Sequence, residues 1–159
     1  MMRSLVVYYS RTGTTKSVGE AIARELSAGC EEIIDLKKRT GLRPIRRIIA
    51  GKDAWRRKLT GIRTQKKPEA YDMIIIGTPI WSKKMTPAVR TYLTNQNLDG
   101  KKVGFFCTGG GSGMEKAFEE MKKLVPKSSV VGSLGICARE VKSGSYGEKV
   151  KSFVESLAS

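Results

Sequence analysis

The sequence predicts an α/β fold. It is a three-layer sandwich around a five-stranded parallel sheet in the order 2-1-3-4-5, in one domain spanning residues 1–159. Three observations carry this. Short runs of β-branched and aromatic residues recur along the chain. Amphipathic stretches with helical spacing lie between them. A chain of 159 residues suits one domain of ordinary size, and right-handed crossovers leave few topologies open.

The elements follow in order. Leu5 to Tyr9 is a continuous apolar run and reads as the first strand. Ser17 to Leu26 has Val18, Ala21, Ile22 and Leu26 on one side and reads as a helix. Glu32 to Leu36 is expected to be the second strand. Met73 to Gly77 is wholly apolar, as a strand buried on both faces should be. Thr86 to Leu93 is a helix with Pro87 tolerated in its first turn. Val103 to Cys107 is the fourth strand. Met114 to Leu124 is a helix with Met114, Ala117, Phe118, Met121 and Leu124 on one face. Val130 to Cys137 is the fifth strand, and Tyr146 to Leu157 closes the chain as a helix.

The segment 37–67 interrupts this rhythm between the second and third strands. It holds 13 of the 30 Lys and Arg residues and one acid, Asp53, so it carries +12 of the formal +15. Pro44 to Leu59 reads as a basic amphipathic helix, whole or broken, with Ile45, Ile48, Ile49, Trp55 and Leu59 broadly on one side. Trp55, Leu59 and Ile62 are expected to cover the sheet or to make a homodimer contact.

Composition excludes several functions. There is no histidine, which removes Ser-His-Asp and Cys-His catalysis and imidazole metal sites. The three cysteines, at 30, 107 and 137, are odd in number and widely spaced. They form neither a disulfide framework nor a CxxC motif. No apolar run approaches the ~20 residues of a membrane-spanning helix, and the short apolar start is not a signal peptide. The expected location is the cytoplasm. Chemistry in such a chain is best supplied by a cofactor.

Ligands of open α/β sheets bind beyond the carboxyl ends of the strands. Three loops meet there. Ser10-Arg11-Thr12-Gly13-Thr14-Thr15 offers four hydroxyls at a helix N-terminus, which suits a phosphate. The plainer reading is a helix cap at Thr14 or Thr15, but one hydroxyl suffices for that. It is not a Walker loop, because no glycine directly precedes Lys16. Thr78-Pro79-Ile80-Trp81-Ser82 ends the third strand with an indole, to stack on a planar ligand or to pack over the sheet edge. Thr108-Gly109-Gly110-Gly111-Ser112-Gly113 clears side chains where a ligand approaches the backbone. Met114 stands where a dinucleotide fingerprint needs its third glycine. Cys107, before this loop, reads as a buried strand-end residue or as a redox thiol.

These three loops, in this order, resemble the flavodoxin family. Ser10 to Thr15 is similar to the family's phosphate loop. Gly77 to Trp81, continuing through Thr86 to Arg90, is similar to its second flavin loop and the helix after it. The resemblance covers nearly the whole chain. It implies a flavodoxin-like fold and a noncovalent FMN, its phosphate held by Ser10, Thr12, Thr14, Thr15 and nearby amides and its ring flanked by Thr78 to Trp81 and by Thr108 to Gly111, with Trp81 stacking and Arg11, Gly13, Ser82 and Gly113 also at the cofactor. It implies an electron carrier rather than a stand-alone enzyme, with an FMN-dependent NAD(P)H:quinone reductase or a flavin-free binding module as alternatives.

The charge departs from the family's acidic habit. Lys83 and Lys84 beside Trp81 are expected to favour an anionic reduced flavin. The basic segment suits a solvated face, an acidic redox protein as partner, or contact with a membrane surface that would fit a quinone. Nucleic acid is disfavoured, since no recognition motif appears.

Overall fold

The computed structural model describes residues 2–37 and 59–158. The order of elements is β1 (Ser4–Tyr8), α1 (Thr14–Leu26), β2 (Gly29–Glu32), β3 (Ile34–Asp35), β4 (Ile62–Arg63), a 3-10 turn (Pro68–Ala70), β5 (Met73–Trp81), β6 (Lys84–Met85), α2 (Pro87–Asn95), β7 (Lys102–Gly109), α3 (Met114–Lys123), β8 (Ser129–Cys137), α4 (Ala138–Ser143) and α5 (Gly147–Leu157). The main sheet runs β2-β1-β5-β7-β8, all parallel, which is the predicted order 2-1-3-4-5.

Alternation along the central strands makes two cores. Leu5, Val7, Ile74, Ile76, Val103 and Phe105 face α2 and α3, where Val89, Tyr92, Leu93, Phe118 and Met121 meet them. Val6, Tyr8, Met73, Ile75 and Phe106 face α1 and α5, where Val18, Ile22, Val150, Phe153 and Leu157 meet them. Successive side chains of a strand point to opposite faces, so an unbroken Ile74-Ile75-Ile76 run serves both layers. Gly77 sits opposite Phe106 in the register. A Cβ there would overlap the Phe106 ring, so glycine is required for the sheet to carry that aromatic.

Two expectations need correction. The second strand of the sheet is Gly29–Glu32, not 32–36. Register against Leu5–Tyr8 selects the polar Gly-Cys-Glu-Glu segment, which suits an edge strand half in solvent. The apolar Ile33 is buried at 1% exposure with its amide donating to the Tyr8 carbonyl at 2.7 Å. Ile34 and Asp35 then turn away to pair antiparallel with β4. The second miss is α4, a short helix that follows β8 directly and that periodicity did not announce.

The helix expected over 44–59 lies outside the described residues up to 58, as does Trp55. The described arm that follows is anchored. The Thr60 amide donates to Thr91 Oγ1 and its hydroxyl donates to Asp35 Oδ1, each at 2.9 Å. Ile62 packs against the core on the α2 side, while Leu59 is exposed. Glu31 accepts from the amides of Gln65 and Lys66, closing the arm onto β2. Among the described residues no helix is long and apolar enough to cross a membrane.

Candidate functional site

The carboxyl ends of β1, β5, β7 and β8 open onto a cavity of about 580 Å³. Small-molecule sites range over roughly 300–1,000 Å³. Arg11, Thr12, Thr14 and Thr15 line one side, Pro79, Ile80, Trp81 and Ser82 another, and Thr108, Gly109 and Gly110 a third. The structure thus brings together parts of all three predicted loops. It adds Ala138, the first residue of α4, which sequence reasoning missed. Its signal was positional: the strand that ends beside β7 must also deliver its following residues to this end of the sheet.

The first loop is shaped by Ser10. Its hydroxyl oxygen accepts from the Gly13 amide at 3.1 Å and the Lys16 amide at 3.2 Å. The cap of α1 is Gly13, not Thr14 or Thr15, and it supplies no side-chain hydrogen bond. Of the leading amides of α1, that of Lys16 is taken by Ser10, and those of Thr14 and Thr15 have no intrahelical acceptor, as an anion site requires. Thr12 and Thr14 hydroxyls stand 3.3 Å apart at this end. Thr15 and Thr108 have buried hydroxyls 2.8 Å from each other, which ties the first loop to the third.

Trp81 is buried at 8% exposure. Tyr9 meets its ring edge-to-face at a centroid distance of 5.7 Å, and the Arg11 guanidinium lies 5.2 Å from its centroid. A planar ligand stacking on the face that Arg11 covers would displace the guanidinium. Trp81 ends β5, and β6 folds straight back, pairing Ile80 with Met85 and Trp81 with Lys84. The two turn residues, Ser82 and Lys83, have φ of 50° and 62°. A two-residue hairpin of this type demands the left-handed region at both positions, where glycine or asparagine is usual. Each substitution of an ordinary residue there costs about 1–2 kcal/mol.

Two contacts hold this hairpin. Lys84 Nζ lies 2.8 Å from Glu120 Oε1, and Arg90 Nη2 lies 2.9 Å from Glu120 Oε2. Lys83 packs on Gly113, where φ is +84° and an added Cβ would come within 2.9 Å of the Lys83 Cα. The two lysines expected beside a ligand ring differ in their contacts. Lys84 turns to Glu120 on α3, a carboxylate that also pairs with Arg90 of α2. Lys83 is exposed and lines a neighbouring cavity of about 510 Å³ with Gly111, Gly113 and Met114. Arg11 is the charged residue lining the main cavity. Lys16 reaches towards Glu32, at 4.0 Å.

The remaining predicted residues stand behind the lining. Thr78 is fully buried, donating to the Pro79 carbonyl at 2.8 Å and accepting from the Thr86 amide at 3.1 Å. It fixes the strand end from which Trp81 projects. Ser10 and Gly13 shape the first loop, and Gly111 and Gly113 border the neighbouring cavity. Cys107 is fully buried in the core. Burial, with smaller effects from Glu115 and Cys137, pushes its thiol up to about 12, so it is a packing residue and not a nucleophile at neutral pH.

A sequence profile of the family described as flavodoxin matches residues 3–143. The chain belongs to the flavodoxin family. Solved structures agree with this flavodoxin-family fold. A candidate flavoprotein from Bacteroides uniformis ATCC 8492 superposes with a TM-score of 0.79 at 24% identity, covering 97% of this chain and 98% of its own. A flavoprotein from Lactobacillus acidophilus NCFM, in complex with FMN, gives 0.72 at 23% identity, covering 90% and 98%. Oxidised Flavodoxin 2 from Bacillus cereus gives 0.59 at 22% identity, covering 98% and 97%. At these identities the likeness is one of fold. A comparison with curated proteins finds no match.

Proposed function

We propose that this flavodoxin-family chain binds FMN in the 580 Å³ cavity and serves as an electron-transfer flavoprotein. The observation that carries the reading is the division of the lining into a hydroxyl-rich helix N-terminus at one side and an indole facing a glycine loop at another. That donor set suits a phosphate joined to a planar ring, and the FMN complex of the Lactobacillus acidophilus protein supports it. When bound, FMN supplies reversible uptake of one or two electrons.

The part of the chain itself is binding and electrostatics. The first amides of α1 and the Thr12 and Thr14 hydroxyls hold the phosphate without spending a lysine on it. Trp81 and the backbone of Thr108 to Gly110 bound the ring, and the Thr15–Thr108 hydrogen bond keeps the loops in register. Arg11 is the cation closest to hand, and it favours negative charge on whatever lies against Trp81. The described lining holds hydroxyls, an indole, backbone groups and one guanidinium but no carboxylate or imidazole, which suits a carrier better than an acid–base catalyst.

The test is a titration of the purified chain with FMN and, separately, with riboflavin, read by flavin absorbance and tryptophan quenching. Saturable binding of FMN near one per chain, with riboflavin much weaker, is the expected result. Absence of FMN binding by a folded chain refutes the proposal.

A further inference from the structure

The loops around the cavity are basic. Arg11 stands on the loop after β1, Lys83 at the tip of the β5–β6 hairpin and Arg139 in the first turn of α4. All three are exposed, and none makes an ion pair among the described residues. The loops that form the mouth, 9–17, 77–84, 107–114 and 135–139, contain no Asp or Glu at all. Acids that border them have partners of their own, and two of them, Glu32 and Asp35, line a second cavity with Arg11. Glu32 faces Lys16, Asp35 accepts from the Lys37 amide and the Thr60 hydroxyl, Glu120 holds Lys84 and Arg90, and Glu140 holds Lys149. Glu115, one residue into α3, is the exposed acid beside the mouth.

We infer that this rim docks an acidic electron-carrier protein, with the partner's carboxylates set against Arg11, Lys83 and Arg139. The inference builds on the FMN reading, because the rim surrounds the opening through which a bound ring would be approached. Charge complementarity selects the partner's sign. Three cations on separate elements also impose an orientation, which a single charge does not. The side chains exposed around the mouth are polar or small: Arg11, Thr12, Ser82, Lys83, Ser112 and Arg139. A membrane-binding surface needs several large apolar side chains beside its cations, and among the described residues Ile34 is the exposed one that shares a cavity with Arg11. The charges act over about a Debye length, ~10 Å at 0.1 M salt, so the docking is steered at low ionic strength and weakens as salt rises.

The experiment uses the full chain saturated with FMN and an acidic plant-type ferredoxin as the probe. Titration is followed at low salt by amide NMR shifts of the nitrogen-labelled chain. Shifts should concentrate at residues 11–12, 82–83, 110–112 and 139. The double variant Lys83→Gln/Arg139→Gln should bind the ferredoxin about tenfold more weakly. The double variant Lys123→Gln/Lys127→Gln removes the same charge at the opposite end of β7 and β8, and should change affinity by about twofold or less. Equal losses in the two variants would reduce the effect to net charge and overturn the proposal. So would binding to phosphatidylglycerol vesicles through these residues with none to the ferredoxin. FMN occupancy is read independently from flavin absorbance. A chain that takes no FMN yet binds the ferredoxin through the rim keeps the docking proposal and sinks the flavin one.

Discussion

Replacing Glu120 with Gln tests how the ligand-side hairpin is held. Among the described residues each Glu120 carboxylate oxygen takes one cation, Lys84 at 2.8 Å and Arg90 at 2.9 Å, and the three side chains are only 17%, 13% and 9% exposed. The amide keeps the shape and removes the charge, leaving two cations facing each other where water is scarce. Breaking a buried pair costs about 3–5 kcal/mol, and the partial exposure places this one near 3. Arg90 is locked in α2, whereas Lys84 can swing out and take β6 with it. Ser82 and Lys83 then relax from their left-handed conformations, worth about 1 kcal/mol each. Re-forming the hairpin on ligand binding withdraws roughly 2 kcal/mol, and 1.4 kcal/mol is tenfold, so FMN affinity should fall roughly 25-fold. Urea unfolding reads the first number and FMN titration the second. Lys84→Met leaves the Glu120–Arg90 pair intact and should cost only about 1 kcal/mol. A loss below about 1 kcal/mol for Glu120→Gln, or FMN affinity within about twofold of the parent chain, would refute this account of the hairpin.

Three further outcomes are expected. Thr12→Ala combined with Thr14→Ala should weaken FMN about tenfold or more while leaving riboflavin nearly unchanged, and equal losses in the two titrations would remove the phosphate from this loop. Gly77→Ala should destabilise the fold by about 2 kcal/mol or more, because the Phe106 ring has no room to move within the core; an unchanged urea midpoint would contradict the close packing. Cys107 has its folded pKa raised from 9.0 to about 12, so the folded state holds the proton more tightly. Its contribution to stability is whole below pH 9 and is lost as pH rises towards 12, which alkaline unfolding of a Cys107→Ala variant, measured against the parent, would show as a flatter decline.

Much of this fold is legible from local signals. Buried parallel strands must be continuously apolar, so Leu5–Tyr9, Met73–Gly77 and Val103–Cys107 announce themselves. Helices with one buried face repeat every three to four residues, and Met114, Phe118 and Met121 do so. Ligand loops betray themselves by residue type, because anions want hydroxyls and amides and close approach wants glycine. These signals are short-range, and so the three loops could be recognised before any distance was known.

What escaped was set by groups far apart along the chain. The edge strand went to polar Gly29–Glu32, because only registry with Leu5–Tyr8 selects it. Thr15 and Thr108 are 93 residues apart and share a buried hydrogen bond that no periodicity encodes. Lys84 looked like a ligand-side charge until Glu120, 36 residues away and also paired with Arg90, claimed it. A residue's type states which interactions it can make, but its partner is decided by which other groups the folded backbone brings within a few ångströms. For this chain the kind of cavity was therefore written locally, while its lining by Ala138, its basic rim and the brace behind its hairpin depended on tertiary packing.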